Sequence, residues 1–252
     1  RKMLEPLHWV ELENIDNLDP FYLNQSFDSG NGYSLPFVMA STVIAVNRNH
    51  ITDSITSYQD LLNEKYRNNI TLIDDERIII GIALLANGYD MNTTNEEELE
   101  VAKEWLLQLK PNIKAFDSDS PKNFLITGES DIAVLWNAEA ALAYQENNNI
   151  EFIYPKEGSA LSMDNFAIPK GAKHQEEAYE FIDYILRADV MKKIIESYPY
   201  KNVNQETQKL LGGDYLENDA SNIPSEVIEN GIFVKNIGSS IKQYDKLWAE
   251  IK

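Results

Sequence analysis

Cysteine is absent from the 252 residues. That excludes disulfides, thiol nucleophiles and thiolate metal sites, and it leaves the redox compartment open. Histidine is scarce: His8, His50 and His174 lie in polar loops or at a helix start. No Gly-x-Ser-x-Gly elbow accompanies them, so a Ser–His–acid triad is poorly supported. There is no His-Glu-x-x-His and no calcium loop with its closing glutamate, so no metal site is expected. The phosphate-cradling Gly-x-Gly-x-x-Gly and Gly-x-x-x-x-Gly-Lys runs are missing too, and no cofactor is implied. No apolar run approaches the roughly 20 residues of a membrane span. The opening RKMLEPLHWVELENIDNLDP has neither the apolar segment nor the small-residue cleavage site of a secretion signal. Basic charge is short as well: 22 Lys and Arg stand against 41 Asp and Glu, a formal net charge of −19. Nucleic acid is therefore a poor partner, because a phosphate backbone needs a basic face. A small cation would be drawn in instead.

What is present is ordinary globular composition, 43% hydrophobic and 25% charged. The length suffices for one large domain or two lobes. Helical and strand-like stretches alternate, which predicts an α/β fold. LPFVMASTVIAVN (35–47) contains two short extended runs. SYQDLLNEKYRNN (57–69) reads as a helix and ITLID (70–74) as a short strand. ERIIIGIALLANGY (76–89) follows as a helix ending at Gly88. Asn95 caps the next helix, with Glu98 three residues on. Leu99, Ala102, Leu106 and Leu109 share its inner face, and Pro111 stops it. DIAVLWN (131–137) is a strand, AEAALAYQENN (138–148) a helix and EFIYP (151–155) a strand. Over 174–198, Ala178, Phe181, Ile182 and Ile185 keep helical spacing, and Asp189 begins a second helix. The tail from 223 reads as helix, loop, helix. Long polar connections suit two lobes, with the chain crossing between them near 40–42 and 160–163.

Acids and aromatics gather at the ends of the predicted strands. LIDDER sets Asp74 and Asp75 where a strand becomes a helix, and VLWNAEA sets Trp136 at the end of another strand. Open α/β sheets bind ligands beyond the carboxyl ends of their strands. SMDNF sets Asp164 at the suspected crossing, at the head of a run, Asn165 to Ile168, that otherwise reads as buried strand. ESYPYKN sets Tyr198 and Tyr200 in a loop after a helix. Each has a plainer reading: Asp75 as a helix cap, Trp136 as core, Asp164 as the partner of a lysine or a turn cap, Tyr200 as loop packing. Together they describe an acidic, aromatic-walled cleft.

The stretches NLDPFYLNQSFDSGNGYSLPF (17–37), SYQDLLNEKYRNNITLIDDER (57–77), VLWNAEAA (134–141), YPKEGSALSMDNFAIPKGAK (154–173) and EAYEFIDYILRADVMKKI (177–194) carry a family likeness. The chain resembles the polyamine-binding proteins of ABC importers, the spermidine/putrescine-binding family. The matches run in family order over nearly the whole chain, and the P-K-E-G…M-D-x-x-A-I-P block is the most specific. The resemblance implies a two-lobed, periplasmic-binding-protein-like α/β clamshell of type II, with a polyamine held between the lobes. It implies Asp75, Trp136, Asp164 and Tyr200 as ligand contacts, an extracytoplasmic location, and ABC permease subunits, free or fused in the same gene product, as partners. No enzymatic role is implied.

The sequence departs from that pattern in four ways. Spermidine-selective members often carry a second acid where Ile78 stands, a second tryptophan where Ser162 stands, and an amide after an aromatic where Val234 follows Phe233. The family chain also has a further lobe-forming segment before RKMLEP. The expectation is therefore a C-terminal portion with an incomplete first lobe, 1–41 with 163–208, and an intact second lobe, 42–162 with 209–252. The first-lobe regions would then be mobile, rearranged or paired with a second copy, and polyamine binding by these residues alone would be weak. The full-length protein would be a monomer. A binding protein for a sugar, an amino acid or a metal is the nearest rival; an enzyme and an adhesive domain are more distant ones.

Overall fold

The computed structural model describes residues 3–252, so the first two residues of the expected first lobe lie outside it. The strands are β1 (Leu35–Asn47), β2 (Ile70–Leu72), β3 (Ile113–Phe116), β4 (Ile132–Trp136), β5 (Ile150–Ile153), β6 (Ala160–Phe166), β7 (Lys201–Asn202) and β8 (Ile232–Phe233). The helices are α1 (Glu76–Ala86), α2 (Glu96–Leu109), α3 (Lys122–Thr127), α4 (Asn137–Glu146), α5 (Gln175–Leu186), α6 (Ala188–Ser197), α7 (Gln205–Gln208), α8 (Gly213–Leu216), α9 (Ser225–Asn230) and α10 (Ile241–Ile251). The chain forms two compact units: Arg1–Ala40 with Met163–Asn222, and Ser41–Ser162 with Ile223–Lys252. Residues 209–222 thus group with the first unit rather than the second lobe of the sequence reading. Leu211 and Tyr215 explain this, because they are buried in one cluster with Val38, Met191 and Ile195.

The second unit is built on β1, whose residues 42–46 pair antiparallel with β4 and 44–47 with β5. β2 lies parallel between β3 and β4. All of β2 and most of β4 are buried on both faces, as parallel strands covered by helices must be. α1 supplies one cover. Every residue from Ile78 to Ala86 is buried, and the helix packs against α2 and α10. It ends where expected: Gly88 takes the left-handed conformation (φ 80°), and its N–H returns to the Leu85 carbonyl at 2.9 Å.

In the first unit, β7 pairs with β1 through Val38–Asn202 and Met39–Lys201. Around these strands sit α5 to α8. The described segment before β1 carries short 3₁₀ turns and two isolated β-bridges, Leu4–Pro169 and Leu18–Asn204, and is tied down further by side chains. Asp183 accepts from the Asn14 N–H and Nδ2 at 2.8 and 2.7 Å, and the Tyr179 hydroxyl accepts from the His8 N–H at 2.9 Å.

Three local expectations change. The two extended runs of 35–47 are one strand, because the polar Ser41 and Thr42 between them are as fully buried as the apolar residues on either side. The helix expected over 57–69 is two 3₁₀ turns, Tyr58–Leu62 and Glu64–Tyr66, separated at Asn63. Asn63 leaves helical geometry there, and its side chain accepts from the Lys65 N–H at 3.2 Å (φ −61°, ψ 123°). α2 keeps its Asn95 cap, but the side chain accepts from the Glu97 N–H at 2.9 Å and no return bond from Glu98 completes a box.

Gly231 marks the tightest packing. An added Cβ would meet the buried Leu161 side chain at 2.6 Å. Gly231→Ala should therefore cost about 1–3 kcal/mol of stability. Urea denaturation measures it, and an unchanged midpoint would show that Leu161 can move aside.

Candidate functional site

Asp75 and Trp136 belong to the second unit and follow from adjacent parallel strands. Leu72 of β2 lies opposite Val134 of β4, so both strands release the chain at the same edge of the sheet. Beyond β2 the ladder runs one bond further, from the Ile73 N–H to the Val134 carbonyl at 3.1 Å. Asp75 then takes the extended backbone of an N-cap, and its Oδ1 accepts from the Ile78 N–H at 3.0 Å. The plainer reading of Asp75 is thus true, but it uses one oxygen. Two other acids near these strand ends are committed elsewhere. Asp74 pairs with Lys252, and Glu139 in the first turn of α4 holds Lys122 at 2.8 Å. Burial, followed by Asp245 and then Asp75, pushes the Glu76 carboxyl up from its ordinary value.

Trp136 closes β4 and is half-buried, so it is not sealed in the core. Its backbone is fixed on both sides: it lies opposite Thr42 of β1, and the Asn137 side chain accepts from the Ser41 N–H at 3.0 Å. Ile78 belongs to the inner face of α1 at 2% exposure and offers no polar contact. Ser162 is half-buried in β6, and Val234 is exposed.

Asp164 and Tyr200 belong to the first unit. Asp164 stands inside β6 rather than at the head of a strand, and its side chain is exposed. It makes no hydrogen bond and no ion pair among the described residues. Neither plainer reading, a lysine partner or a turn cap, describes it. Surrounding protein still strips some of its water, and this desolvation pushes its carboxyl up from the ordinary value. In the same unit Phe166 of β6 packs at a tilt of 51° against Phe37 of β1, ring centres 4.8 Å apart.

Tyr200 immediately precedes β7, half-buried against the cluster of Val38, Met191, Ile195, Leu211 and Tyr215. Its carbonyl accepts from the Tyr215 hydroxyl at 2.9 Å, and that hydroxyl accepts from the Asn202 N–H at 2.8 Å. Tyr198, its neighbour in the loop, is 64% exposed. The tie through Tyr215 left no mark in the sequence, because residue 215 lies in a polar stretch that reads as loop. Among the described residues no group of three or more His, Cys, Asp or Glu is placed to hold a metal ion. The four predicted positions therefore fall two in each unit.

The sequence profile of the bacterial extracellular solute-binding proteins matches residues 1–220. The chain belongs to this family. The solute-binding protein is 37% identical to the spermidine/putrescine-binding periplasmic protein of Salmonella typhimurium, over 99% of this chain and 72% of that one. It is 29% identical to the putrescine-binding periplasmic protein PotF of Escherichia coli, over 89% of this chain and 66% of that one. Among solved structures, the spermidine/putrescine ABC transporter substrate-binding protein PotD of Streptococcus pneumoniae superposes with a TM-score of 0.87 at 31% identity, covering 99% of this chain and 78% of that one. A Listeria monocytogenes chain reaches 0.95 at 30% identity with the same coverage. The fold is thus that of the periplasmic binding proteins, and the family binds and delivers solutes rather than transforming them.

The raised Asp164 carboxyl has a consequence for stability. A native state with the higher value holds its proton more tightly than the unfolded chain does. As pH rises through the ordinary carboxylate range the unfolded state ionises first, and the native state loses ground. At neutral pH the charge is a net cost to the fold. Asp164→Asn should raise the melting temperature at pH 7 by about 1–2 °C. The gain should vanish toward pH 3, where both states of the parent are protonated. Calorimetric melts across this range check it, and a gain that persists at pH 3 would assign the effect to something other than the charge.

Proposed function

We propose that this chain is the extracytoplasmic solute-binding component of a bacterial ABC importer, that it binds a polyamine such as putrescine or spermidine, and that it delivers it to a membrane permease. The observation that carries the reading is Asp164. A carboxylate without a cationic partner, and partly desolvated, is disfavoured unless a cation is to arrive. The relatives named for spermidine and putrescine support the same ligand class.

A polyamine is an apolar chain with ammonium groups spaced along it. Asp75, through its uncommitted oxygen, and Asp164 are the groups that hold nitrogens, by charge-assisted hydrogen bonds of about 1.5–3 kcal/mol each. The Trp136 and Tyr200 rings cover methylenes, at about 0.8 kcal/mol per buried CH₂. They also meet the cations with their faces, at about 0.5–2 kcal/mol each. A ligand favours whichever arrangement of the protein gives it the most contacts, and that arrangement is the one a permease would recognise. The acidic surface draws the cation in. A second reading, another small solute, draws on Ile78: its burial in the inner face of α1 leaves that position without a charge for a further ammonium.

Titration calorimetry with putrescine and spermidine tests the reading. Asp75→Ala and Asp164→Ala should each weaken binding more than tenfold, in line with the loss of a charged hydrogen bond. A thermal-shift screen across amines, sugars and amino acids separates the two readings. Stabilisation by a sugar or an amino acid, with none by amines, would overturn the polyamine assignment.

A further inference from the structure

Tyr200 is held less firmly by secondary structure than Asp75, Trp136 or Asp164. It follows Pro199 and precedes a strand of two residues, whose pairing with β1 is correspondingly brief. The second anchor comes from α8. In an extended chain the carbonyl of one residue and the N–H two residues later point to the same edge. Those two groups here are the Tyr200 carbonyl and the Asn202 N–H. The Tyr215 hydroxyl donates to the first at 2.9 Å and accepts from the second at 2.8 Å. A phenol can both donate and accept, so this one occupies the place that a neighbouring strand's peptide would take. Tyr215 is 6% exposed, with its ring in the apolar cluster on which Tyr200 also packs. Between the two tied residues, the Lys201 ammonium donates to the Asn222 side chain at 2.6 Å.

We propose that Tyr215 is a positioning residue for ligand recognition: by clamping the backbone on both sides of Lys201 it fixes where the Tyr200 ring is presented, and it sets affinity without touching the ligand. The inference rests on the reading of Tyr200 as a ligand contact. Phenylalanine fills the same space but removes the bond to a buried N–H and to a part-buried carbonyl, so the loop carrying Tyr200 gains alternative positions. A merely structural tyrosine would lower stability on substitution. A positioning one couples to Tyr200 specifically.

The test is a double-mutant cycle read by titration calorimetry with spermidine and with putrescine. Tyr200→Ala should weaken binding about tenfold. Tyr215→Phe should weaken it about fivefold. The double variant should bind no more weakly than Tyr200→Ala alone, because the clamp then has nothing to position. Parent-like affinity in Tyr215→Phe, or a fivefold penalty that persists without the Tyr200 ring, overturns the proposal. If Tyr200→Ala has no effect while Asp164→Ala weakens binding, Tyr200 is not a ligand contact and the proposal falls with it. If neither variant weakens binding, the polyamine reading itself fails. Should Tyr215→Phe not fold, hydrogen exchange on the unmutated chain decides. Saturating spermidine should slow the Asn202 amide about threefold or more, and an unchanged rate overturns the clamp.

Discussion

A buried strand of 13 residues obliges every one of its backbone groups to find a partner. Several neighbours of β1 share in that obligation. In the second unit β4 and β5 pair with its latter half; in the first, β7 pairs with Val38 and Met39. At Ser41, where the chain leaves one unit for the other, the Asn137 side chain accepts the N–H. The requirement explains why Trp136 is placed as it is. It ends the strand that pairs with β1 from Thr42 onward, and the next residue supplies the side chain that satisfies Ser41.

The two acids of the proposed site show how one residue type serves in opposite ways. Asp75 is supported by its surroundings, since a helix N-terminus offers amide donors that need an acceptor. Its role as a cap is compatible with the proposed ligand contact, because a carboxylate has two oxygens. Asp164 receives no such support: it stands on a strand without a partner, its carboxyl pushed up by desolvation. An arrangement that weakens the fold and serves no other part of it is the common signature of a functional position. The neighbouring acids that are neutralised, Asp74 by Lys252 and Glu139 by Lys122, make the contrast sharper.

Much of this was legible from the residues. The α1 and α2 helices, the capping by Asp75 and Asn95, and the glycine stop at Gly88 are local matters, decided by side chains or backbone N–H groups reaching backbone groups a few residues away. The single strand at 35–47 was harder to read, because Ser41 and Thr42 interrupt the apolar stretch and only their burial joins the two runs. The 57–69 segment misled, because the helical pattern there competes with an Asn63 side chain that draws the backbone out of the helix.

The sequence by itself determined the α/β class, the acidic character, the family likeness and the residue types at positions 75, 136, 164 and 200. It did so because periodicity, caps and charge act over a few residues or over the chain as a whole. Only the tertiary structure decided that β2 and β4 lie side by side, that residues 209–222 join the first unit, and that Tyr215 clamps the loop of Tyr200. Each of these joins groups separated along the chain by ten to many tens of residues. Such contacts form when the chain must satisfy buried polar groups and fill a core at the same time, a condition no local pattern expresses.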